Sequence, residues 1–185
     1  TYKNQNGLEN YLDYKIQKFS DGIAYVNTFN GNMTTIFNLG NTKGGKLPIN
    51  LNLIYNSNDV VLNNNTFFGK GYKLNYEQTI KDNDNEYLEY MDADGTIHYF
   101  YPINLSEQAP TTYQDEDGVN LTLEKSDTIC TISNKQNNEI MTFTKNNETY
   151  YLTEIKDADN NTINIQLNEN NRINKLTDKY NAEIT

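Results

Sequence analysis

The stretch LTEIKDADNNTI, residues 152–163, sets two aspartates and two asparagines between apolar residues. Such a cluster admits three readings: a cation loop, a chemical site, or a chain reversal between strands. The rest of the chain decides among them. The frame Leu152, Ile155, Asp157, Asn160, Ile163 returns 21 residues later as Ile173, Leu176, Asp178, Asn181, Ile184. It occurs 23 residues earlier as Ile129, Ile132, Asn134, Asn137, Ile140. A degenerate earlier copy is Tyr90, Asp92, Gly95, Ile97. A five-point frame kept in three places marks a repeat, and a repeat sets the architecture before any single motif does. Each unit is too short to bury a core alone and needs a neighbour to stack on. Asp157 recurs as Asn134 and Asp178, whereas Asp159 aligns with Gln136 and Tyr180. A cation site in every copy would need an oxygen ligand at that second position, so the stretch reads as a turn.

Outside the repeat, period-two alternation bounded by Asn, Gly and Asp predicts strands and hairpins. In KLPINLNLIYNS, Leu47, Ile49, Leu51, Leu53 and Tyr55 fall on one face and Asn50 and Asn52 on the other. Asn30-Gly31, in YVNTFNGNMTTIF, is a strong short hairpin signal. In EYLEYMDADGTIHYFY, a two-residue turn at Asp94-Gly95 would set Tyr90 opposite Tyr99. It would place Leu88, Tyr90, Ile97, Tyr99 and Tyr101 on one face, with Glu89, Met91, His98 and Phe100 on the other. GLENYLDYKIQKF fits a helical spacing and an alternating one; the extended reading is preferred.

The expected class is therefore all-β: antiparallel hairpins and meander, with a β-sandwich-like or open-sheet N-terminal part leading into repeat strands. Residues 1–125 form the N-terminal β region and residues 126–185 the degenerate repeats. The chain of 185 residues carries 33 asparagines, 15 tyrosines, no tryptophan and a formal net charge of −10. That acidity argues against nucleic-acid partners, which need a basic surface. No run approaches the eighteen apolar residues of a membrane span. One cysteine excludes an internal disulfide framework. Without an initiator Met or a signal peptide, the chain is expected to be a section of a longer protein.

Several motifs could carry chemistry. DADG at 92–95, DEDG at 115–118 and DADNN at 157–161 resemble cation loops but lack the closing bidentate Glu, and are read as hairpin turns, with surface cation sites as the alternative. GNTKGGKL, from Gly40, has the Gly40, Gly45, Lys46 spacing of a phosphate loop, but Leu47 and Pro48 open a strand where Ser or Thr and a helix are required. His98 and Cys130 are the only His and Cys; His98 is expected on the outward face and Cys130 as a small strand residue, not as a catalytic pair. The 25 acidic residues lie mostly in turn-like stretches, where a glycosidase pair with a raised pKa is not expected. Sequons at Asn32, Asn64, Asn104, Asn120, Asn147 and Asn160 are expected by chance. No catalytic, cofactor-binding or metal residue is assigned, no cofactor is expected, and the chain is not expected to be an enzyme. The many tyrosines leave open a carbohydrate or cell-wall binding module.

LTEIKDADNNTINIQLNENNRINKLTDKYN, residues 152–181, resembles the RHS or YD-repeat family, whose units run like L..I.D..GN...I.Y...GRI..ITD. Asn160 and Asn171 stand where that unit has glycines, and Leu167 where its tyrosine is usual. Upstream, KLPINLNLIYNSND, FFGKGYKLNYEQTI, YMDADGTIHYF and YQDEDGVNLTL resemble, in the same order, the run that precedes the repeats in large RHS proteins of Gram-positive bacteria. The resemblance implies a non-catalytic scaffold section of a secreted or cell-wall protein, the start of a β-shell that carries or presents a C-terminal toxin. The implied partners are further repeats and that toxin in the same polypeptide, with a surface glycan as the other possible ligand. The family's aspartyl autoprotease has no counterpart here, so no catalytic residue carries over.

Overall fold

The computed structural model describes residues 6–43, 45–61, 65–83, 86–104, 110–116, 118 and 120–185. Gly44 of the phosphate-loop-like run, Asn64 of one sequon and Asp117 of the loop at 115–118 lie outside them. The fold is all-β and antiparallel.

The first compact unit comprises Thr1–Asn41, Asn50–Asn75 and Asp92–Ile97. Its strands are β1 (Tyr14–Phe19), β2 (Gly22–Asn27), β3 (Met33–Asn41), β4 (Asn50–Asn56), a short helix α1 (Ser57–Val61), the small pair β5 (Asn65–Thr66) and β6 (Gly69–Lys70), and β7 (Tyr72–Leu74). They form an open sheet in the order β1-β2-β3-β4-β7. The Asn30-Gly31 signal does mark a hairpin, but not a two-residue one: Asn27 N–H donates to Asn32 O (2.9 Å) and Gly31 N–H to Asn27 O (2.9 Å). Gly31 takes φ +75° there, and the Asn27 carboxamide oxygen accepts from Phe29 N (2.9 Å). In β4 the alternation holds, yet the most buried positions are Ile54 and Asn56, on the face opposite Leu51, Leu53 and Tyr55. Thr34 pairs with Asn56 and Ile54 with Lys73, so one sheet face buries Thr34, Ile54, Asn56 and Lys73 together.

The second unit comprises Thr42–Ile49, Tyr76–Met91 and His98–Thr185. It contains β8 (Thr79–Asn83), β9 (Tyr87–Met91), β10 (Ile97–Asn104), β11 (Thr111–Asp115), β12 (Leu121–Lys125), β13 (Ile129–Asn134), β14 (Glu139–Asn146), β15 (Thr149–Lys156), β16 (Thr162–Leu167), β17 (Ile173–Asp178) and β18 (Glu183–Ile184). Strands β8 to β15 close on themselves, drawing residues from both sides of position 125. Thr149–Tyr151 at the start of β15 pair with β8, the strand as a whole pairs with β14, and its end, Glu154–Lys156, pairs with β16. Eight strands enclose an interior that side chains alone can fill. Ile80, Leu88, Phe100, Tyr113, Leu123, Ile132, Phe143, Tyr150 and Leu152 fill it, each at most 1% exposed. From β15 the sheet runs on through β16 and β17 to β18.

The repeat frame acquires a physical meaning. Leu152 and Ile155 are three apart and both buried because the β14–β15 register shifts at Thr142/Phe143, leaving Thr153 as an extra residue. Ile173 and Leu176 straddle a second shift, at Asn174 in β17. The 21-residue period is thus the distance between two β-bulges, which twist the strand and re-aim its side chains. The third copy fails this test. β13 pairs with β14 without a shift, so Ile132 is fully buried while Ile129 is 42% exposed, and the left-handed residue of the following turn is Asn138, not Asn137.

The turns recur more often than the frame. At 157–161, Asp157 N–H donates to Asn161 O (3.0 Å), Asn160 N–H to Asp157 O (3.1 Å), and the Asp157 carboxylate accepts from Asp159 N (2.9 Å) and Asn161 N (2.8 Å). The same bonds appear at Asp178–Ala182 and at Asn168–Arg172, a copy the frame passes over. Asn160, Asn171 and Asn181 hold φ of 59°, 59° and 63°, the left-handed position that follows a type I turn in a three-residue hairpin. Asn thus does here what glycine does in the resembling unit. Asn160→Ala is expected to cost about 1 kcal/mol and Asn160→Gly less than about 0.5 kcal/mol. Urea midpoints check this, and equal losses would count against left-handed strain.

Candidate functional site

The turn at 92–96 has the same bonding as those of the repeats, but its surroundings differ. Asp92 N–H donates to Thr96 O (2.9 Å), and the Asp92 Oδ1 accepts the amides of Asp94 (3.0 Å), Gly95 (3.1 Å) and Thr96 (3.0 Å). Three residues, not two, therefore reverse the chain. A one-residue change in register turns every side chain to the opposite face. Tyr90, His98 and Phe100 are buried, Tyr101 is 45% exposed, and His98 stacks on Tyr90 at 5.7 Å. The sequence expectation of an outward His98 is overturned for that reason.

The carbonyls of this turn are gripped from the first unit's sheet. Lys73 Nζ donates to Asp92 O (2.8 Å) and Ala93 O (2.9 Å), and Asn56 Nδ2 to Asp94 O (2.7 Å). Lys73 is only 6% exposed. A buried ammonium is costly unless hydrogen bonds replace its hydration, and carbonyl oxygens supply them here. Gly95, at φ +93°, lets the turn approach: a Cβ there would lie 2.8 Å from Asn56 Nδ2.

Asn56 is the hub. Its Oδ1 accepts from Gly7 N (2.8 Å), Asn32 Nδ2 (3.2 Å) and Thr34 Oγ1 (2.9 Å). Asn32 Oδ1 in turn accepts from Ser57 Oγ (3.1 Å) and Asn58 N (3.0 Å) at the start of α1. The segment Asn6–Glu9 lies across the hub and the turn: Leu8 N–H donates to Asp94 Oδ2 (3.1 Å), and Thr96 Oγ1 lies 3.0 Å from Asn6 O. Burial, and after it the charge of Asp92, pushes the Asp94 carboxyl up to about 7. That is a raised-pKa acid in a turn, which no local sequence signal announces. Gly7 and Leu8, which lie against this carboxyl, are remote from it in sequence.

Chemically, the arrangement fastens five stretches of chain, Asn6–Glu9, the start of β3, the β4–α1 junction, β7 and the turn at 92–96, through hydrogen bonds to backbone and side-chain groups. Asp92 Oδ1 is committed to amide hydrogens, which is the geometry of a turn. Among the described residues, no three His, Cys, Asp or Glu side chains group as a metal ion requires. The described part of 115–118 shows Asp115 Oδ1 accepting Leu121 N (3.2 Å). At 157–161, the bond from Asn161 Nδ2 holds the Asp157 carboxyl below the usual carboxylate range. In the phosphate-loop-like run, Lys46 pairs with Asp159 at 3.0 Å on the surface, and β4 follows in place of a helix. Cys130 is fully buried inside the second unit, and burial pushes its thiol up to about 12. A thiol so rarely ionised is a poor nucleophile. Asn56 and Lys73 are the residues that sequence reasoning missed; the available signal was their place on the Ile54 face of adjoining strands.

Residues 24–100 match a family model described as a domain of unknown function (DUF6531). The matched segment includes Asn27, Asn32, Thr34, Asn56, Lys73 and the turn at 92–96, but not Asn6–Glu9. No curated protein matches the chain. No helix among the described residues is long and apolar enough to cross a membrane.

Proposed function

We propose that the chain is a non-catalytic scaffold section of an RHS/YD-repeat surface or secreted protein, forming the start of a β-shell that carries or presents a C-terminal toxin. The recurrence of one turn carries this reading: an Asx side chain caps a three-residue reversal closed by a left-handed Asn at 157–160, 168–171 and 178–181. Spaced ten or eleven residues apart, these turns lay down successive strands, each offering its edge to the next. Strand β17 buries Leu176 and Asp178 and pairs with β18, so the sheet runs on beyond the closed strands, which supports this reading.

The test is to read the gene on both sides of the segment and to titrate the protein with soluble peptidoglycan fragments. Further copies of the Asx-capped turn downstream, ahead of a toxin-like C-terminal region, are the expected result. A reading frame that closes at Thr185 would overturn the scaffold. Saturable millimolar binding of the fragments would favour the glycan module instead.

A further inference from the structure

Thr96 Oγ1 lies 2.7 Å from Asp94 Oδ1 and 3.0 Å from the backbone oxygen of Asn6. A threonine hydroxyl has one hydrogen, and a backbone carbonyl can only accept. Both contacts are hydrogen bonds at once only when the Asp94 carboxyl carries a proton and gives it to Thr96 Oγ1, freeing the threonine hydrogen for Asn6. With Asp94 ionised, the threonine hydrogen turns to the carboxylate and the Asn6 carbonyl faces an oxygen lone pair. The Asn6 end has little to spare, since its Oδ1 is buried with no hydrogen-bond partner among the described residues.

We propose that Asp94 is a proton-controlled clasp for the segment Asn6–Glu9, holding it closed when protonated and loosening it when ionised. The groups around the clasp set its direction. Burial first, and then Asp92 on the same turn, disfavour the ionised form and outweigh the bonds from Thr96 that favour it. Lys73 on β7 is turned to the carbonyls of Asp92 and Ala93. On the clasped segment itself, Glu9 is buried, and Asp59 on α1 accepts from Asn6 Nδ2. Tyr14 on β1 accepts from Glu9 N (2.8 Å), and burial raises its hydroxyl, so it stays neutral. The acids outnumber the one ammonium, and a proton on Asp94 relieves their crowding.

The sign follows from linkage. The folded-state value of about 7 stands above the ordinary 3.8. Between those limits the closed form holds a proton that the open form releases. The stabilisation is therefore complete at low pH and is lost as pH rises through about 7. Opening should become up to about tenfold more frequent for each pH unit between roughly 5 and 7.

The experiment is amide hydrogen exchange at Leu8, corrected for intrinsic exchange, from pH 5 to pH 8. Protection is expected to fall about fiftyfold from pH 5 to pH 7 in the wild type. In Asp94→Asn, which keeps a donor and an acceptor without titrating, it should stay level. Wild-type protection that is flat across the range, or a pH dependence kept by Asp94→Asn, overturns the clasp. Should that variant fail to fold, carbon NMR titration of the wild-type Asp94 carboxyl replaces it: a midpoint near 7 supports the clasp and one below 5 overturns it.

Discussion

Gly7→Ala is expected to lower the stability of the protein by about 3 kcal/mol or more, among the larger losses a single methyl can cause. Two effects add. Gly7 has φ +71°, and a residue with a Cβ loses roughly 1–2 kcal/mol in that left-handed conformation. The new methyl would also sit 1.9 Å from Asp94 Oδ1 and 2.2 Å from Thr96 Oγ1. Neither side can yield cheaply. The Gly7 amide is tied to Asn56 Oδ1 and its carbonyl lies 3.3 Å from Thr34 Oγ1, while Asp94 is held by Leu8 N and Thr96. Gly31→Ala is the control. Gly31 has nearly the same φ, +75°, but nothing within 4 Å of its would-be Cβ. It should show the backbone cost alone, about 1 kcal/mol. Urea unfolding of both variants separates the terms. Equal losses would mean that Asn6–Glu9 is not packed on the turn, or that it detaches at no cost.

The same contrast explains what could be read in advance. Strands and turns are local, and the sequence announced them: alternation in β4, Asn-Gly at β2–β3, Asp-Gly before β10. The repeat was legible because each copy uses the same residue types for the same bonds. Its +3 apolar spacing, odd for a strand, was the trace of a bulge, and the copy from Ile129 to Ile140 showed how far chance agreement goes in a chain with 33 asparagines. The side on which His98 falls depended on one residue of turn length, which Asp-Gly does not specify, since the dipeptide serves two- and three-residue reversals alike. Closure of β8 through β15 was not legible, because pairing Ile80 with Tyr150 joins residues seventy apart whose alternation is compatible with many partners. The polar junction was hidden for a related reason. Its bonds link Gly7 to Asn56 and Leu8 to Asp94, and in this composition an asparagine reads as a turn residue wherever it stands.

Asn56→Ala tests whether that junction acts as one unit. Asn56 is completely buried and engages both ends of its carboxamide. Truncation leaves two backbone groups without their partner, Gly7 N–H and Asp94 O. Thr34 Oγ1 retains an alternative acceptor in Gly7 O at 3.3 Å, so its loss is partly made good. Each stranded buried group costs about 1–3 kcal/mol, giving roughly 4 kcal/mol in all. Against a total stability of about 5–15 kcal/mol, that is enough to populate unfolded protein near physiological temperature. Asn52→Ala removes a half-exposed carboxamide whose Oδ1 accepts a long bond from Asn38 (3.3 Å), and should cost less than about 0.5 kcal/mol. The deciding measurement is the double variant. Gly7→Ala and Asn56→Ala each release the same segment from the same turn, and whatever the first has freed the second cannot free again. Their combined loss should fall short of the sum by about 1 kcal/mol or more, the size of coupling found between residues in one hydrogen-bond network. Simple addition would mean that Gly7 and Asn56 stabilise separate parts of the sheet and that the clasped segment is held elsewhere.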